Sequence, residues 1–246
     1  MARIVILTGA GISAESGIRT FRADDGLWEE HRIEDVATPE GFEVDPALVH
    51  TFYNDRRRQL LADEVRPNPA HEALARLERA LPGEVCVVTQ NIDDLHERAG
   101  STRVIHMHGE LLRQWCLACG QRTDVRGDVT TASVCPACGT AGRLRPDVVW
   151  FGEIPYEMAR IQQELQECEV FVAIGTSGTV YPAAGFVQLA LAVGAHTVEI
   201  NLDASSAVSW FHEARRGLAG LLVPQWVDEV LTARGPAEGV AAPAPR

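Results

Sequence analysis

The chain has 246 residues, of which 46% are hydrophobic and 6% aromatic, and its formal net charge is -12 at pH 7. This length suits one large domain with an inserted module, and the aliphatic composition is typical of an α/β core. The negative charge argues against nucleic acid as the main partner, and no apolar run approaches the roughly 20 residues of a membrane span. Because the first strand is predicted from residue 3 or 4, we expect no signal peptide and a cytoplasmic location.

Apolar strands and amphipathic helices alternate along the chain. Strands are predicted near 3–8, 84–89, 103–107, 147–150, 170–175 and 197–202, and helices at 69–81, 155–168 and 183–194. This order predicts an α/β fold, a parallel sheet with helices on both faces. A charged helical stretch at about 30–65 and a cysteine-bearing stretch without predicted strands at about 112–145 interrupt it, and we expect both to form a smaller module. Residues 235–246, rich in Pro, Ala and Gly, are predicted to be a disordered tail.

A glycine-rich turn follows the first predicted strand. Residues 9–14, GAGISA, fit the G-x-G-x-x-G/A pattern, in which glycines allow a tight turn and let the backbone approach a pyrophosphate. The usual pattern is followed after about 20 residues by an acidic residue that ends a second strand. Residues 21–26, FRADDG, have no strand character. The partner of the ribose is therefore expected elsewhere, and this loop must have another role.

Two Cys-x-x-Cys pairs give the strongest local pattern. They are separated by fifteen residues and consist of Cys116, Cys119, Cys135 and Cys138. This spacing predicts a tetrahedral site for one zinc ion. Because four thiolates leave no coordination position open for water, the zinc is expected to be structural. An iron site of rubredoxin type and a redox dithiol are the alternatives. Cys86 and Cys168 lie in apolar or helical patterns and are predicted to be core residues.

Polar residues follow two further predicted strands. Residues 89–96 read TQNIDDLH, and His106 and His108 follow the next strand. Ligands of open α/β sheets lie beyond the carboxyl ends of the strands, so the first cluster is expected near the reactive end of a cofactor. Asn91 or Asp93 could also cap a helix. Because histidine titrates near neutral pH, His106 or His108 is a candidate general base.

These segments occur together in one known family. They are GAGISAESGIRTFR, TQNID, HMHG, the cysteine pairs, GTS at 175–177 and NLD at 201–203. In this set the chain closely resembles the sirtuins, the NAD-dependent protein-lysine deacylases, over about residues 3–232. The resemblance implies a Rossmann-like NAD-binding domain (1–29, 66–111 and 146–234) and a small domain built from a helical insertion (30–65) and a zinc module (112–145). It also implies NAD as co-substrate, one structural zinc ion, and acyl-lysine proteins or peptides as partners.

The resemblance also implies roles for single residues. His108 takes the position of the catalytic histidine, which leaves His106 a structural role, and Asn91 and Asp93 act at the nicotinamide end. Residues 21–28 fall on the cofactor loop, which explains the missing second strand. The residues implied to bind NAD are Gly9, Ala10, Gly11, Ala14, Glu15, Thr20, Phe21, Arg22, Trp28, Gln90, Asn91, Ile92, Asp93, Gly175, Thr176, Ser177, Asn201, Leu202, Asp203 and Ala219.

Tyr53 and Arg56 indicate which acyl groups are accepted. They lie three residues apart and hence on one face of a predicted helix. A phenol beside a guanidinium can bind a carboxylate, whereas the alternative is a helix with solvated arginines. Together with Ala37, this Tyr-x-x-Arg resembles class III sirtuins of bacterial type, whose pocket accepts succinyl, malonyl and glutaryl groups. Acetyl groups are expected to remain substrates. Residues 145–153 resemble the peptide-binding segment of the family; its predicted substrate contacts are Val148, Phe151 and Gly152.

The expected products are nicotinamide and 2'-O-acyl-ADP-ribose. A mono-ADP-ribosyltransferase, in which an arginine or water captures the ribosyl group, and a sensor that binds NAD or ADP-ribose without turnover are the alternatives. His108 and the peptide segment count against both. We expect a monomer, without direct nucleic-acid or membrane partners.

Overall fold

The computed structural model describes residues 3–19, 27–28 and 31–234, with the side chains of residues 27 and 28 excepted. Thr20, Phe21, Arg22, the side chain of Trp28 and the predicted tail therefore lie outside the described residues. Within the described ranges, none of the helices combines the length and apolar character that a membrane crossing needs.

The elements follow one another in chain order. The first are β1 (Ile4–Thr8), α1 (Ala10–Ser13), β2 (Leu27–Trp28), β3 (His31–Arg32), α2 (Ile33–Val36), α3 (Pro39–Val44), α4 (Pro46–Leu60) and α5 (Pro69–Ala80). They continue with β4 (Val85–Thr89), α6 (Leu95–Ala99), β5 (Val104–His106), β6 (Gly109–Cys116), β7 (Arg122–Asp124) and β8 (Leu144–Val148). The last are α7 (Met158–Gln166), β9 (Val170–Ile174), α8 (Phe186–Ala192), β10 (His196–Asn201), β11 (Glu213–Arg216) and α9 (Ala219–Arg234).

The central sheet has six strands in the order β11-β10-β9-β1-β4-β5. Every neighbouring pair is parallel. From β1 the chain builds outward through β4 and β5 on one side and later through β9, β10 and β11 on the other. The strand order therefore reverses between β1 and β9, the position at which open α/β sheets bind ligands.

Alternate residues of β1 point to opposite faces of this sheet. Ile4 and Ile6 pack in a core with α5 and α9, while Val5 and Leu7 pack in a second core with α7 and α8. All four side chains are buried. A strand that is apolar at every position is expected where helices cover both faces. The predicted fold class, a parallel sheet with helices on both faces, is confirmed.

The sequence specifies where the helices α4 and α5 begin. Asp45 accepts a hydrogen bond from the Leu48 amide at 2.9 Å, and Asn68 accepts one from the Ala70 amide at 2.9 Å. A proline follows each cap. Its fixed φ suits the first helical position, where its missing N–H costs nothing. These caps place the first turns of α4 and α5.

Three sequence predictions about strands are wrong in detail. The strand predicted at 147–150 is β8, which pairs antiparallel with β6 in a separate sheet of order β7-β6-β8. The stretch at 112–145, predicted to lack strands, contains β7 and parts of β6 and β8. Their pattern is obscured by an irregularity between Glu110 and Gln114 and by Pro146. The unpredicted edge strand β11 reads EARR, and charged edge strands lack an apolar pattern.

The helical insertion contacts the cysteine-bearing segment through α4. Asn54 donates from Nδ2 to the Val129 carbonyl at 2.8 Å and accepts from the Val129 amide at 2.9 Å. Arg57, only 1% exposed, donates to the carbonyl oxygens of Leu111 and Gly127. A buried guanidinium needs such acceptors, because an unsatisfied one would be costly. The helix that carries Tyr53 and Arg56 is thereby fixed against the segment that carries the cysteines.

Candidate active site

Three glycines meet at the switch point between β1 and β9. The Gly11 amide donates to the Gly175 carbonyl at 2.8 Å. A Cβ added to Gly9 would lie 2.7 Å from that oxygen, and one added to Gly11 would lie 2.7 Å from the Cα of Gly175. Gly175 itself has φ +61°, which favours glycine. The two strand ends therefore pack backbone against backbone, which leaves no room for a side chain at Gly9 or Gly11.

Thr176 connects three strand ends beside these glycines. Its hydroxyl accepts from Gln90 Nε2 at 3.0 Å, and its carbonyl accepts from Asn201 Nδ2 at 2.7 Å. The predicted NAD residues of β4, β9 and β10 thus lie on one edge of the sheet. Three more predicted residues are exposed there: Ser177, Leu202 and Asp203.

The predicted NAD residues of the first loop continue this edge. Ala10 and Gly11 lie in the single turn of α1, and Ala14 and Glu15 lie in the 3-10 helix Ala14–Ser16. Glu15 accepts from the Gly220 amide at 2.8 Å, next to the buried Ala219 at the start of α9. The predicted NAD residues Glu15 and Ala219 therefore lie close together. Thr20, Phe21, Arg22 and Trp28 stay predictions.

Asn91 and Asp93 share a partner, Ser13. Ser13 Oγ donates to Asp93 Oδ2 at 2.9 Å and accepts from Asn91 Nδ2 at 3.1 Å. Burial raises the pKa of Asp93 to about 6, although hydrogen bonds from the Leu95 amide and Ser13 lower it. The sequence analysis did not single out Ser13. Its position inside GAGISA could have indicated a role in the site, because that loop packs against the residues that follow β4.

His106 and His108 lie in different environments. His106 Nε2 lies 2.8 Å from Glu97 Oε1, and its Nδ1 lies 3.4 Å from the Asn91 carbonyl. Burial alone would lower the pKa of His106, but Glu97, Glu110 and the Asn91 carbonyl together outweigh it, so the pKa is raised. His108 has no carboxylate partner among the described contacts; its Nδ1 lies 3.0 Å from the Gln90 carbonyl. Burial lowers the pKa of His108 more than this hydrogen bond raises it.

Tyr53 and Arg56 lie one turn apart on α4. Tyr53 is 1% exposed, and its hydroxyl accepts a hydrogen bond from Trp150 Nε1 at 2.8 Å. Arg56 is half-buried, with its guanidinium carbon 4.6 Å from the centre of the Phe52 ring. Of the three consecutive arginines only Arg58 is exposed. The alternative of a helix with solvated arginines therefore does not describe Arg56.

One hydrophobic cluster connects this helix to the rest of the site. It contains Tyr53, Ala37, Val148 and Trp150, and Ile92 packs against it. Ile92 belongs to the Asn/Asp loop, and Val148 belongs to the predicted peptide segment. The three regions that the sequence associated with acyl group, nicotinamide and peptide are thus in contact.

The predicted peptide segment is tied to its surroundings by backbone bonds. The Val149 amide donates to the His108 carbonyl at 2.9 Å, and the Phe151 amide donates to the Ala37 carbonyl at 2.9 Å. Val148 is buried, whereas Phe151 and Gly152 are exposed. In the described sheet β8 is an end strand. All five residues of β8 are buried, so the exposed part of this segment follows the strand, at Phe151 and Gly152.

The four predicted zinc ligands lie together. All four Sγ atoms are within 4.8 Å of one another, with 3.8 Å between Cys116 and Cys138 and 3.9 Å between Cys119 and Cys135. A Zn–S length of about 2.3 Å gives a tetrahedron whose edges are about 3.8 Å. None of the cysteines within the described ranges forms a disulfide. This donor set fits one structural Zn²⁺.

The glycine crevice, the Asn/Asp/His cluster and the four thiols together define the class of a dinucleotide-using enzyme with a structural metal module. Residues 9–182 match the model of the Sir2 family. The chain is 56% identical over 239 residues to a Vibrio cholerae serotype O1 protein named NAD-dependent protein deacylase, covering 97% of each chain.

Solved structures of Sir2 proteins are similar to this chain in fold and sequence. A Sir2 homologue in complex with NAD has a TM-score of 0.85 and 40% identity, covering 94% of this chain and 90% of that chain. A Sir2 protein bound to an acetylated peptide has a TM-score of 0.78 and 28% identity, covering 92% of both. The chain belongs to the Sir2 family, and the resemblance read from the sequence is confirmed.

Proposed function

We propose that this protein removes acyl groups from protein lysines with NAD as co-substrate, and that its substrates include succinyl- and malonyl-lysine besides acetyl-lysine. The products are nicotinamide and 2'-O-acyl-ADP-ribose. Family membership and the relative named NAD-dependent protein deacylase support the reaction. The observation that supports acidic acyl groups is a buried phenol one helical turn from a half-buried guanidinium, Tyr53 and Arg56. A carboxylate would receive a hydrogen bond from one and a charge-assisted bond from the other.

The crevice supplies a place for each part of NAD. The bare backbone of Gly9, Gly11 and Gly175 suits the pyrophosphate, and the edge formed by Asn201 and its neighbours suits the adenosine. The remaining residues of the predicted NAD set complete this site. NAD supplies a ribose carbon from which nicotinamide departs when the acyl oxygen attacks.

The residues of the chain then orient groups and move a proton. Asn91 and Asp93, held by Ser13, orient the carboxamide and keep the nicotinamide end in a fixed pose. His108 accepts a ribose hydroxyl proton at Nε2, which makes that oxygen nucleophilic. General-base catalysis of this kind typically contributes about 10²- to 10⁴-fold. The apolar cluster around Ile92 and Val148 excludes bulk water from the reacting groups. One water molecule, positioned by Asn91 and Asp93, is consumed when the acyl group passes to the ribose oxygen and the lysine amine is released.

The substrate is an acyl-lysine peptide whose extended backbone pairs with the segment that contains Val148, Phe151 and Gly152. Backbone pairing reads few side chains, so we expect broad substrate choice. We further infer the discontinuous domain division described from the sequence, a monomer, no direct nucleic-acid or membrane partner, and a cytoplasmic location. The contacts of α4 with Val129 and Gly127 support the small domain as one unit.

Mass spectrometry of the products tests the reaction. The purified protein is incubated with NAD and either an acetyl-lysine or a succinyl-lysine peptide. Free lysine, nicotinamide and the matching acyl-ADP-ribose are expected from both. ADP-ribosylated protein without deacylation would instead indicate the transferase alternative, and intact NAD and peptide would indicate the sensor.

A further inference from the structure

The hydrogen bond between Trp150 and Tyr53 orients the phenol. An indole N–H only donates, so the Tyr53 oxygen is the acceptor of the 2.8 Å contact. Trp150 is 3% exposed and Tyr53 is 1% exposed, so water does not compete for this bond. A phenol oxygen that accepts on one side directs its own hydrogen away from the donor. The indole thus fixes the direction in which Tyr53 can donate.

Trp150 is itself held on its ring and its backbone. The guanidinium carbon of Arg145 lies 3.5 Å from the centre of the indole ring. Arg145 donates to both carboxylate oxygens of Glu153, at 2.8 and 2.9 Å, and to the Val148 carbonyl at 2.9 Å. The Trp150 amide donates to Glu153 as well, at 2.8 Å. A bidentate ion pair under a stacked ring leaves the indole little freedom.

We propose that Trp150 is a positioning residue that determines acyl specificity: its indole N–H aims the Tyr53 hydroxyl at the carboxylate of an acidic acyl group beside Arg56. This inference rests on the proposed acceptance of acidic acyl groups. Burial raises the pKa of Tyr53 more than the Trp150 hydrogen bond lowers it, so the phenol keeps its proton at neutral pH. An acetyl group has no carboxylate, and therefore gains nothing from the aimed hydroxyl.

The Trp150→Phe variant tests this inference because phenylalanine keeps an aromatic ring under Arg145 but, with a smaller side chain, has no N–H to donate. The measured quantity is the ratio of kcat/KM for succinyl-lysine to kcat/KM for acetyl-lysine peptides, determined on one preparation. The active fraction cancels in this ratio, so partial misfolding does not change it. A neutral hydrogen bond corresponds to about 3- to 10-fold, and we expect the ratio to fall by that factor.

Tyr53→Phe and the double variant show whether Trp150 acts through the phenol. If it does, Trp150→Phe has no further effect on the ratio in the Tyr53→Phe background. Trp115→Phe is the matched control, because the Trp115 ring also contacts Arg145, at 5.2 Å. It should leave the ratio unchanged.

Two failures are distinguishable. If Trp150→Phe lowers both specificity constants equally, leaves the ratio unchanged, or still lowers it in the Tyr53→Phe background, the positioning role is wrong. The proposed function stands in that case if Tyr53→Phe and Arg56→Met lower the ratio. If neither of these two variants lowers the ratio, the acceptance of acidic acyl groups through this pair is itself wrong.

Discussion

The Nδ1 atom of His108 lies 3.0 Å from the backbone carbonyl oxygen of Gln90. A carbonyl only accepts, so Nδ1 carries the hydrogen and the neutral ring presents a lone pair at Nε2. The lowered pKa of His108 keeps the ring neutral at pH 7. His106 has a raised pKa and a carboxylate partner, Glu97, so its surroundings favour the charged form of the ring. These environments support the proposed roles, with His108 as the general base and His106 as a structural residue.

His108→Ala should lower kcat for deacylation by about 10²- to 10⁴-fold while NAD still binds, because the histidine moves a proton and does not hold the cofactor. Steady-state kinetics and calorimetry with NAD measure the two effects. Replacing the exposed His196 by alanine is the control. Loss of NAD binding together with activity would mean that His108 is structural.

His71→Gln should make folding stability less sensitive to acid. Burial lowers the pKa of His71 from 6.5 to about 4, so the unfolded chain binds the proton first and stability falls as the pH drops below about 6.5. The free energy of unfolding that is lost between about pH 7.5 and about pH 5.5 should be roughly 1 kcal/mol smaller in the variant. Glutamine keeps the helix cap, because its side chain can accept from the Asn68 amide as His71 Nδ1 does. Denaturant unfolding measures the effect; equal losses would contradict it.

Cys135→Ser should release zinc and leave the cysteine-bearing segment poorly folded. Zinc binding at such sites contributes on the order of 10 kcal/mol to folding. Because Asn54 and Arg57 fix α4 to this segment, activity should fall as well. Metal analysis and thermal unfolding test this, with Cys168→Ser as a control that keeps zinc. Stoichiometric iron, or full activity in the metal-free variant, would overturn the assignment.

Gly11→Ala should weaken NAD binding and cost roughly 1–3 kcal/mol of stability. The added Cβ would lie 2.7 Å from the Cα of Gly175. This clash would push the ends of β1 and β9 apart at the crevice. Gly127→Ala is the matched control, because a Cβ there has nothing within 4 Å. Calorimetric NAD affinity and thermal unfolding give the comparison. A Gly11→Ala protein that binds NAD as tightly as the control would contradict the close-approach role.

Local pattern was enough to predict the central sheet and the metal site. Residues 4–7 are apolar at every position because helices cover both faces of the sheet. The spacing of the four cysteines is the one that brings four thiols around a single tetrahedral metal ion. Antiparallel pairing of β8 with β6 was missed, because nothing local in the sequence around Pro146 shows which strand it will face. The bond from Trp150 to Tyr53 spans 97 positions and was missed for the same reason.

The proposed binding of acidic acyl groups is tested most directly by Arg56→Met, with kcat/KM measured for succinyl-lysine and acetyl-lysine peptides on one preparation. A hydrogen bond to a charged group contributes about 1.5–3 kcal/mol, so the ratio of the two constants should fall by about 10- to 150-fold. Arg58→Met is the matched control, because Arg58 is exposed on the same helix and pairs with Asp128 at 2.6 Å. It should leave the ratio unchanged. Equal losses on both substrates, or no loss on either, in Arg56→Met would contradict the carboxylate-binding role of Arg56.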